Sequence, residues 1–439
     1  MFMQRSRIAF LIAWLVTLCF SGFGLDVTSL NDQALLDLTQ RQTLKYFWEF
    51  AHPVSFMAPE RNTTPDCVTT GGTGFGLMAW VAGCERGWLS RREVLKRSHA
   101  LVDFLARADR FHGVWPHWIN GGTGKVIPFS LKDDGADLVE TSYLIMGLLT
   151  LDSYFSRSAL AERSLRGKIR RLWREVEWDW FTRGEKVLFW HWSPKHVWAM
   201  NLRIRGWNEC LITYILAASS PTHPIRPEVY RQGWAGGERF KNGNRHYGLP
   251  PMPLGENLGG PLFFSHYSFL GLDPRGLKDV YADYGEQVRL HSLINYYYCV
   301  ANPKRYPGYS SACWGLTASD NFHGYSAHSP TNDLGVIAPT AALSSMPFTP
   351  QQSLRALRHF FAVQDGRLWG KYGFRDAFAP VRNWVADSFL AIDQGPIVIM
   401  LENYRTGLLW RLFGSHRDVR RGLQLLGFSR SPRPERGGK

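Results

Sequence analysis

The sequence predicts an all-α chain closed into a ring of helical hairpins, an (α/α)6 toroid, on three observations. Helical patterns recur about a dozen times along the chain, whereas alternating strand patterns are scarce. The helices are joined by long loops rich in Gly, Pro, Trp and His, over 109–135, 184–205, 220–262 and 302–332. No Pro/Ser-rich linker or composition break divides the chain, so 25–414 reads as one domain with those loops at one mouth.

Each helix has its own warrant. Residues 31–51 carry Leu35, Leu38, Leu44, Phe47 and Phe50 at amphipathic spacing. Ser90 and Glu93 form a capping-box pattern, with a Leu89 to Val94 staple, that opens a helix running to about Ala108. Thr349-Pro350 is a second start signal, with proline at the first helical position. Further helices are expected near 74–87, 136–155, 158–177, 206–218, 276–285, 286–300, 333–345 and 386–412.

Residues 1–24 have the layout of an export signal: Arg5 and Arg7, an apolar run from Ile8 to Phe20, then Ser21, Gly22 and Gly24. The apolar run is short for a membrane span, so the expected product is a soluble, monomeric periplasmic or secreted protein. Five cysteines follow the signal (Cys67, Cys84, Cys210, Cys299, Cys313), without metal-type spacing, which allows at most two disulfides. The net charge of +14 becomes +12 once Arg5 and Arg7 leave. Much of the excess lies between Arg411 and Lys439, where eight Lys/Arg face Asp418 and Glu435. Residues 415–439 therefore read as a disordered basic tail, either solubilising or in contact with an anionic envelope polymer. An exported chain is a poor partner for nucleic acid.

The richest chemistry lies in Asp133-Asp134-Gly135-Ala136-Asp137-Leu138-Val139-Glu140, four carboxylates in eight residues beside the apolar Tyr143, Leu144 and Ile145. A helix starting near Gly135 puts Asp137 and Glu140 on one side, with Asp133 and Asp134 in the loop. Carboxylates crowded in an apolar cleft have their pKa values pushed apart, as acid/base hydrolysis requires. Helix capping is the structural alternative. Glu209 enters an apolar helix beside Trp207, where burial would keep it protonated. Asp393 lies in an apolar run with no neighbouring cation.

The chain holds 18 tryptophans, and several stand in loops beside polar groups: Trp115, His117 and Trp118; Trp190, His191 and Trp192; Trp207; Trp314. Indole faces stack on sugar rings, so an aromatic cleft of this kind suits an uncharged oligosaccharide. Core packing is the alternative, and is preferred for Trp48, Trp80 and Trp173. The glycines of Thr70-Gly71-Gly72-Thr73-Gly74-Phe75-Gly76 lack a phosphate-loop lysine and indicate tight packing at a helix start. The histidines show no helical ligand spacing, so no metal or cofactor is expected.

Taken together, Thr69–Gly76, Gly113–Trp118, Asp133–Thr141, Arg205–Glu209, Tyr325–Pro330 and Ala391–Pro396 resemble the glucoamylase-like proteins of glycoside hydrolase family 144, over residues from about 30 to 413. The resemblance implies an (α/α)6 toroid that hydrolyses β-1,2-glucan, internally or with release of sophorose, by inversion. It also implies that Asp133, Asp137, Glu140, Glu209 and Asp393 are the pocket acids. The roles expected here are Glu209 as general acid, Asp393 as base, Asp137 and Glu140 holding hydroxyls or relaying a proton, and Asp133 fixing the loop. Trp115, His117, Trp118, Arg205, Trp207 and Trp314 are expected substrate contacts. A sugar-binding protein without turnover, or an α-glucan hydrolase, would have the same cleft.

Overall fold

The computed structural model describes residues 27, 29–237 and 240–431. The export signal expected over 1–24 and the chain end from Pro432 lie outside the described residues. Thirteen α-helices are described: α1 (Asp32–Trp48), α2 (Thr70–Glu85), α3 (Arg91–Leu105), α4 (Leu138–Tyr154), α5 (Leu160–Arg174), α6 (Leu211–Ser219), α7 (Pro227–Gln232), α8 (Tyr284–Ala301), α9 (Pro339–Ser344), α10 (Pro350–Ala362), α11 (Ala391–Arg405), α12 (Leu408–Ser415) and α13 (Arg417–Leu425).

An inner ring closes through contacts that can be followed around it. Gly74 of α2 and Gly147 of α4 cross at backbone contact, since a Cβ on Gly74 would strike the Tyr143 carbonyl and one on Gly147 the Gly74 carbonyl. From α4, Ser142 Oγ meets Thr213 Oγ1 of α6 at 2.9 Å. Ile212 N of α6 donates to Ser268 Oγ at 3.0 Å, in a run of turns over 262–272 that occupies the fourth inner position in place of a regular helix. His266 of that run meets Ser345 Oγ, at the end of α9, at 3.0 Å. Thr340 Oγ1 of α9 donates to the Asp393 carbonyl of α11 at 2.8 Å. Gly395 of α11 packs on Phe75 of α2 and completes the circle. The fold is an (α/α)6 toroid.

The inner helices are buried around their whole circumference, as α4 is from Leu138 to Asp152. Such helices are apolar all round and carry little amphipathic signal. The outer ring packs outside them. Gln40 of α1 donates to the Val398 carbonyl at 3.0 Å, Arg91 ties α3 to Glu162 of α5 at 3.0 Å, and Gly422 of α13 lies against Ser219 of α6. Short antiparallel pairs stiffen the connections, among them Cys67–Thr69 with Trp118–Asn120, Ala136–Asp137 with His191–Trp192, and the hairpin Ala318–Asn321/Gly324–Ala327.

The structure corrects three expectations. Residues 276–283 are not helical: Asp279 caps a turn at Tyr281 and Ala282, and Leu277–Lys278 pairs with Ser429–Arg430. The helix expected over 386–412 breaks at Gly407, whose φ of 66° ends α11 before α12 begins. The tail expected to be disordered from 415 is ordered to Ser431, because Val419 and Leu423 of α13 are buried and Arg421 donates to the Ser219 and Ser220 carbonyls. Ser90 precedes α3 as expected but makes no side-chain cap bond, and all five described cysteines are free thiols.

Candidate active site

A cavity of about 340 Å³ opens where the inner segments begin. Thr69 precedes α2, Glu140 and Tyr143 stand in the first turns of α4, Glu209 precedes α6, and Leu390 and Ile392 flank the start of α11. Several helix N-termini therefore face one space, and their dipoles favour carboxylates there. Aromatic walls come from His117, Trp118, Phe129, Trp190, Tyr267 and Tyr325.

One group of acids comes from the 133–140 run. Asp137 is the N-cap of α4: its Oδ1 accepts from the N–H groups of Val139 (3.0 Å) and Glu140 (2.9 Å) and from Trp190 Nε1 (3.0 Å). Its Oδ2 lies 3.0 Å from His117 Nδ1 and 3.6 Å from His191 Nε2. Burial opposes ionisation, but His117, His191 and the Glu140 N–H outweigh it and hold this carboxyl below its ordinary range. The helix begins one residue after Asp137, so capping and site chemistry fall on the same residue.

Asp133 lies 3.4 Å from His191 Nε2, and burial together with the neighbouring Asp137 charge pushes it up to about 7. Glu140 Oε2 accepts from Gly71 N at 2.7 Å and Thr69 Oγ1 at 3.3 Å; burial, then the Asp137 charge, raise its pKa. A Cβ on Gly71 would collide with that oxygen, which gives the glycine-rich helix start its packing role. His117 is pushed up to about 9: burial opposes its charge, but Glu140, Asp137 and Asp133 more than compensate.

Glu209 stands on the cavity wall. Its carbonyl is fixed by Ser268 Oγ, while the Asn208 side chain accepts from Cys210 N at 3.0 Å and delays the helix to Leu211. Burial, helped by the Asp137 and Glu140 charges, raises its carboxyl to about 7. It is protonated in about half the molecules near neutrality, as a general acid must be.

A second group of acids, missed by sequence reasoning apart from Asp393, comes from four distant segments. Arg61 forks onto Glu60 (2.8 Å) and reaches Asp320 (3.1 Å). Asp320 N donates to Asp376 Oδ2 at 2.6 Å, and the Asp376 and Asp393 carboxyls, both buried, act on each other. No described donor reaches either Asp393 oxygen, and Asp376 Oδ1 is likewise without one. Burial and then the Asp376 carboxyl raise Asp393 well above its ordinary pKa, while burial and Asp320 bring Asp376 to about 7. Asp393 lies behind the cavity lining, next to Tyr267 and Tyr325.

Of the expected substrate contacts, His117 and Trp118 line the cavity. Three tryptophans do not. Trp115 is fully buried with its indole N–H on the Leu105 carbonyl, Trp314 is fully buried against Tyr296, and Trp207 packs between Trp234, Phe269 and Tyr284. Arg205 is exposed outside the lining. Polar sequence neighbours were the wrong signal for these four, because alternate residues of an irregular loop face opposite ways. Phe129, Tyr143 and Tyr267, which do line the cavity, carry no sequence signal that separates them from core aromatics, whereas Tyr325 opens one of the segments that carry the family resemblance.

Residues 201–417 match the Glycoamylase family, described as "Putative glucoamylase". The same description attaches to a solved structure from Bacteroides uniformis, 56% identical, covering 92% of this chain and 98% of that one with a TM-score of 0.90. An endo-β-1,2-glucanase from Chitinophaga pinensis, solved with sophorotriose and glucose, is 51% identical over 91% of this chain and 99% of its own, with a TM-score of 0.89. The chain belongs to the glucoamylase-like glycoside hydrolases of family 144. An exo β-1,2-glucooligosaccharide sophorohydrolase from Parabacteroides distasonis is 45% identical over 90% of this chain, which spans 58% of that relative's length.

Proposed function

We propose that this protein is an exported hydrolase of β-1,2-glucan, cutting within the chain or releasing sophorose, with inversion at the anomeric carbon. The observation that carries the reading is Glu209: a carboxyl raised to about 7 on the wall of an aromatic cavity whose lining also holds Glu60 and Glu140. The substrate class comes from the relatives, one acting on β-1,2-glucan internally and another releasing sophorose.

In this reading Glu209 protonates the departing glycosidic oxygen. Asp393 takes the proton of a water entering past Tyr267 and Tyr325 on the opposite face of the ring. Inverting geometry leaves roughly 6.5–9.5 Å between two such carboxyls to accommodate that water. Asp137, held as an anion, orients His117 at the cavity wall, and Glu140 is placed to accept a sugar hydroxyl. Asp133 ties down the 129–133 turn, where its backbone carbonyl accepts from Phe129 N at 2.9 Å.

The test is to incubate the purified protein with linear β-1,2-glucan beside laminarin, cellulose oligomers and starch, resolving products by size over time. Sophorose or short β-1,2-oligomers from the first substrate alone are expected, with the nascent reducing end in the α configuration by NMR. Cleavage of starch instead would replace the substrate, and binding without product would leave a sugar-binding protein.

A further inference from the structure

The second acid group contains more carboxylates than its cations can neutralise. Glu60, Asp320, Asp376 and Asp393 share Arg61, whose fork and free nitrogen are spent on Glu60 and Asp320. Ser388 Oγ adds a neutral donor to Asp320. Arg375, next to Asp376 in sequence, turns away to Asp387 at 3.1 Å, and the other titratable groups facing the cluster include the phenols of Tyr46, Tyr267 and Tyr325. Asp376 and Asp393, both at most 3% exposed, are left to each other. Two buried carboxyls in contact without a cation retain one proton between them.

Resting on the assignment of Asp393 as base, we propose that Asp376 is a positioning residue whose carboxyl completes a one-proton pair with Asp393. The pair carries a single negative charge before reaction. As water oxygen bonds to the anomeric carbon, its proton passes to Asp393, and the proton already shared moves onto Asp376. Glu209 meanwhile gives its proton to the departing oxygen as the glycosidic bond breaks. The pair then holds two protons and Glu209 none; return of one proton to Glu209 through solvent restores both, with one water consumed.

Asp376 is well placed for this part. Its Oδ2 is pinned by the Asp320 N–H while Oδ1 has no other partner, so the carboxyl cannot rotate away from Asp393. Its like charge also makes Asp393 a stronger base than it would be alone.

The experiment measures kcat and KM against pH on β-1,2-glucan for the full chain and for D393N, D376N and D376E. Asparagine at 376 removes the like charge and donates N–H to Asp393. The expected result for D376N is a fall in kcat of about tenfold at neutral pH, KM within threefold, and an acidic limb displaced to lower pH by about one unit or more, because the remaining carboxyl is a weaker base. D376E, which keeps a carboxyl, recovers part of kcat and the wild-type limb. An unshifted limb with wild-type kcat in D376N, while D393N is inactive, overturns the inference and leaves the base assignment standing. Turnover by D393N overturns the base assignment itself. Should D376N not fold, a D376E protein with an unaltered limb supports the pair, and one with its limb displaced as low as that of an isolated carboxylate overturns it.

Discussion

The two acid groups beside the cavity solve the same problem by different means. Asp133, Asp137 and Glu140 come from eight consecutive residues and face two histidines, and Asp137 is held ionised by hydrogen bonds from every side. Glu60, Asp320, Asp376 and Asp393 come from four segments and share one arginine, so part of their charge is removed by retaining a proton. The difference is between compensation by cations and compensation by protonation. A buried anion with its cation cannot lose either partner cheaply, whereas a buried neutral acid can lose its proton-bearing oxygen at little structural cost.

Glu209 lines the cavity itself, and its removal should have the largest effect. E209Q keeps the shape and loses the proton, so kcat on β-1,2-glucan should fall by about 10²–10⁴-fold, with KM changed much less. Near-normal turnover would transfer the acid role to another carboxyl of the site. A pair of stability measurements sharpens the contrast between the groups themselves. D137N strands His117⁺ against an uncharged amide and should cost about 3–5 kcal/mol in urea unfolding, while D393N replaces one member of a pair that already retains a proton and should stay within about 1 kcal/mol of wild type. Equal losses would dissolve the distinction.

Titration provides a third comparison. Glu209 and Asp133 are raised to about 7 in the folded chain, so each stabilises it fully below the ordinary carboxylate range and loses that contribution as pH rises toward 7. His117, raised to about 9, contributes fully below about 6.5 and loses its contribution as pH rises through 9. Asp137, held low, contributes above about 4 and loses it on further acidification. Stability should therefore peak on the acid side of neutrality, near about pH 5, and decline toward pH 9. H117Q should flatten the segment between about 6.5 and 9 by an amount on the order of 3 kcal/mol. A decline of undiminished slope in H117Q would show that the histidine is not charged by its acids.

The same contrast explains what could be read from the sequence. The 133–140 run was legible because its residues are contiguous, and Glu209 and Asp393 because each is an acid in an apolar run. Glu60, Asp320 and Asp376 were not legible: Glu60 and Asp376 each stand beside an arginine in sequence, Asp320 lies in a polar stretch, and the three meet only after the ring has closed. The toroid itself followed from helix number, but α13 was misread as tail because its Arg417, Arg420 and Arg421 outweigh Val419 and Leu423 in composition while the apolar pair does the packing. The tryptophans misled for a related reason. Trp115, Trp207 and Trp314 have polar neighbours along the chain and apolar ones in space.

The smallest expected effect belongs to the cavity rim. Phe129 is 49% exposed, yet it lines the cavity and stacks on His117 with ring centroids 4.3 Å apart. Its position is set by the turn that Asp133 closes, so the first acid group orients one face of the ring toward His117 and leaves surface for a sugar. An aromatic contact of this kind contributes about 0.5–1.5 kcal/mol, which is a two- to tenfold change in affinity. F129A should therefore raise KM on short β-1,2-glucans by about that factor, leave kcat within about twofold, and lower the melting temperature little, since a half-exposed ring gives up few core contacts. F129W should restore KM. If kcat fell instead while KM held, Phe129 would be acting through His117 and hence through Asp137, and the rim would belong to the cation-compensated group instead of to the substrate.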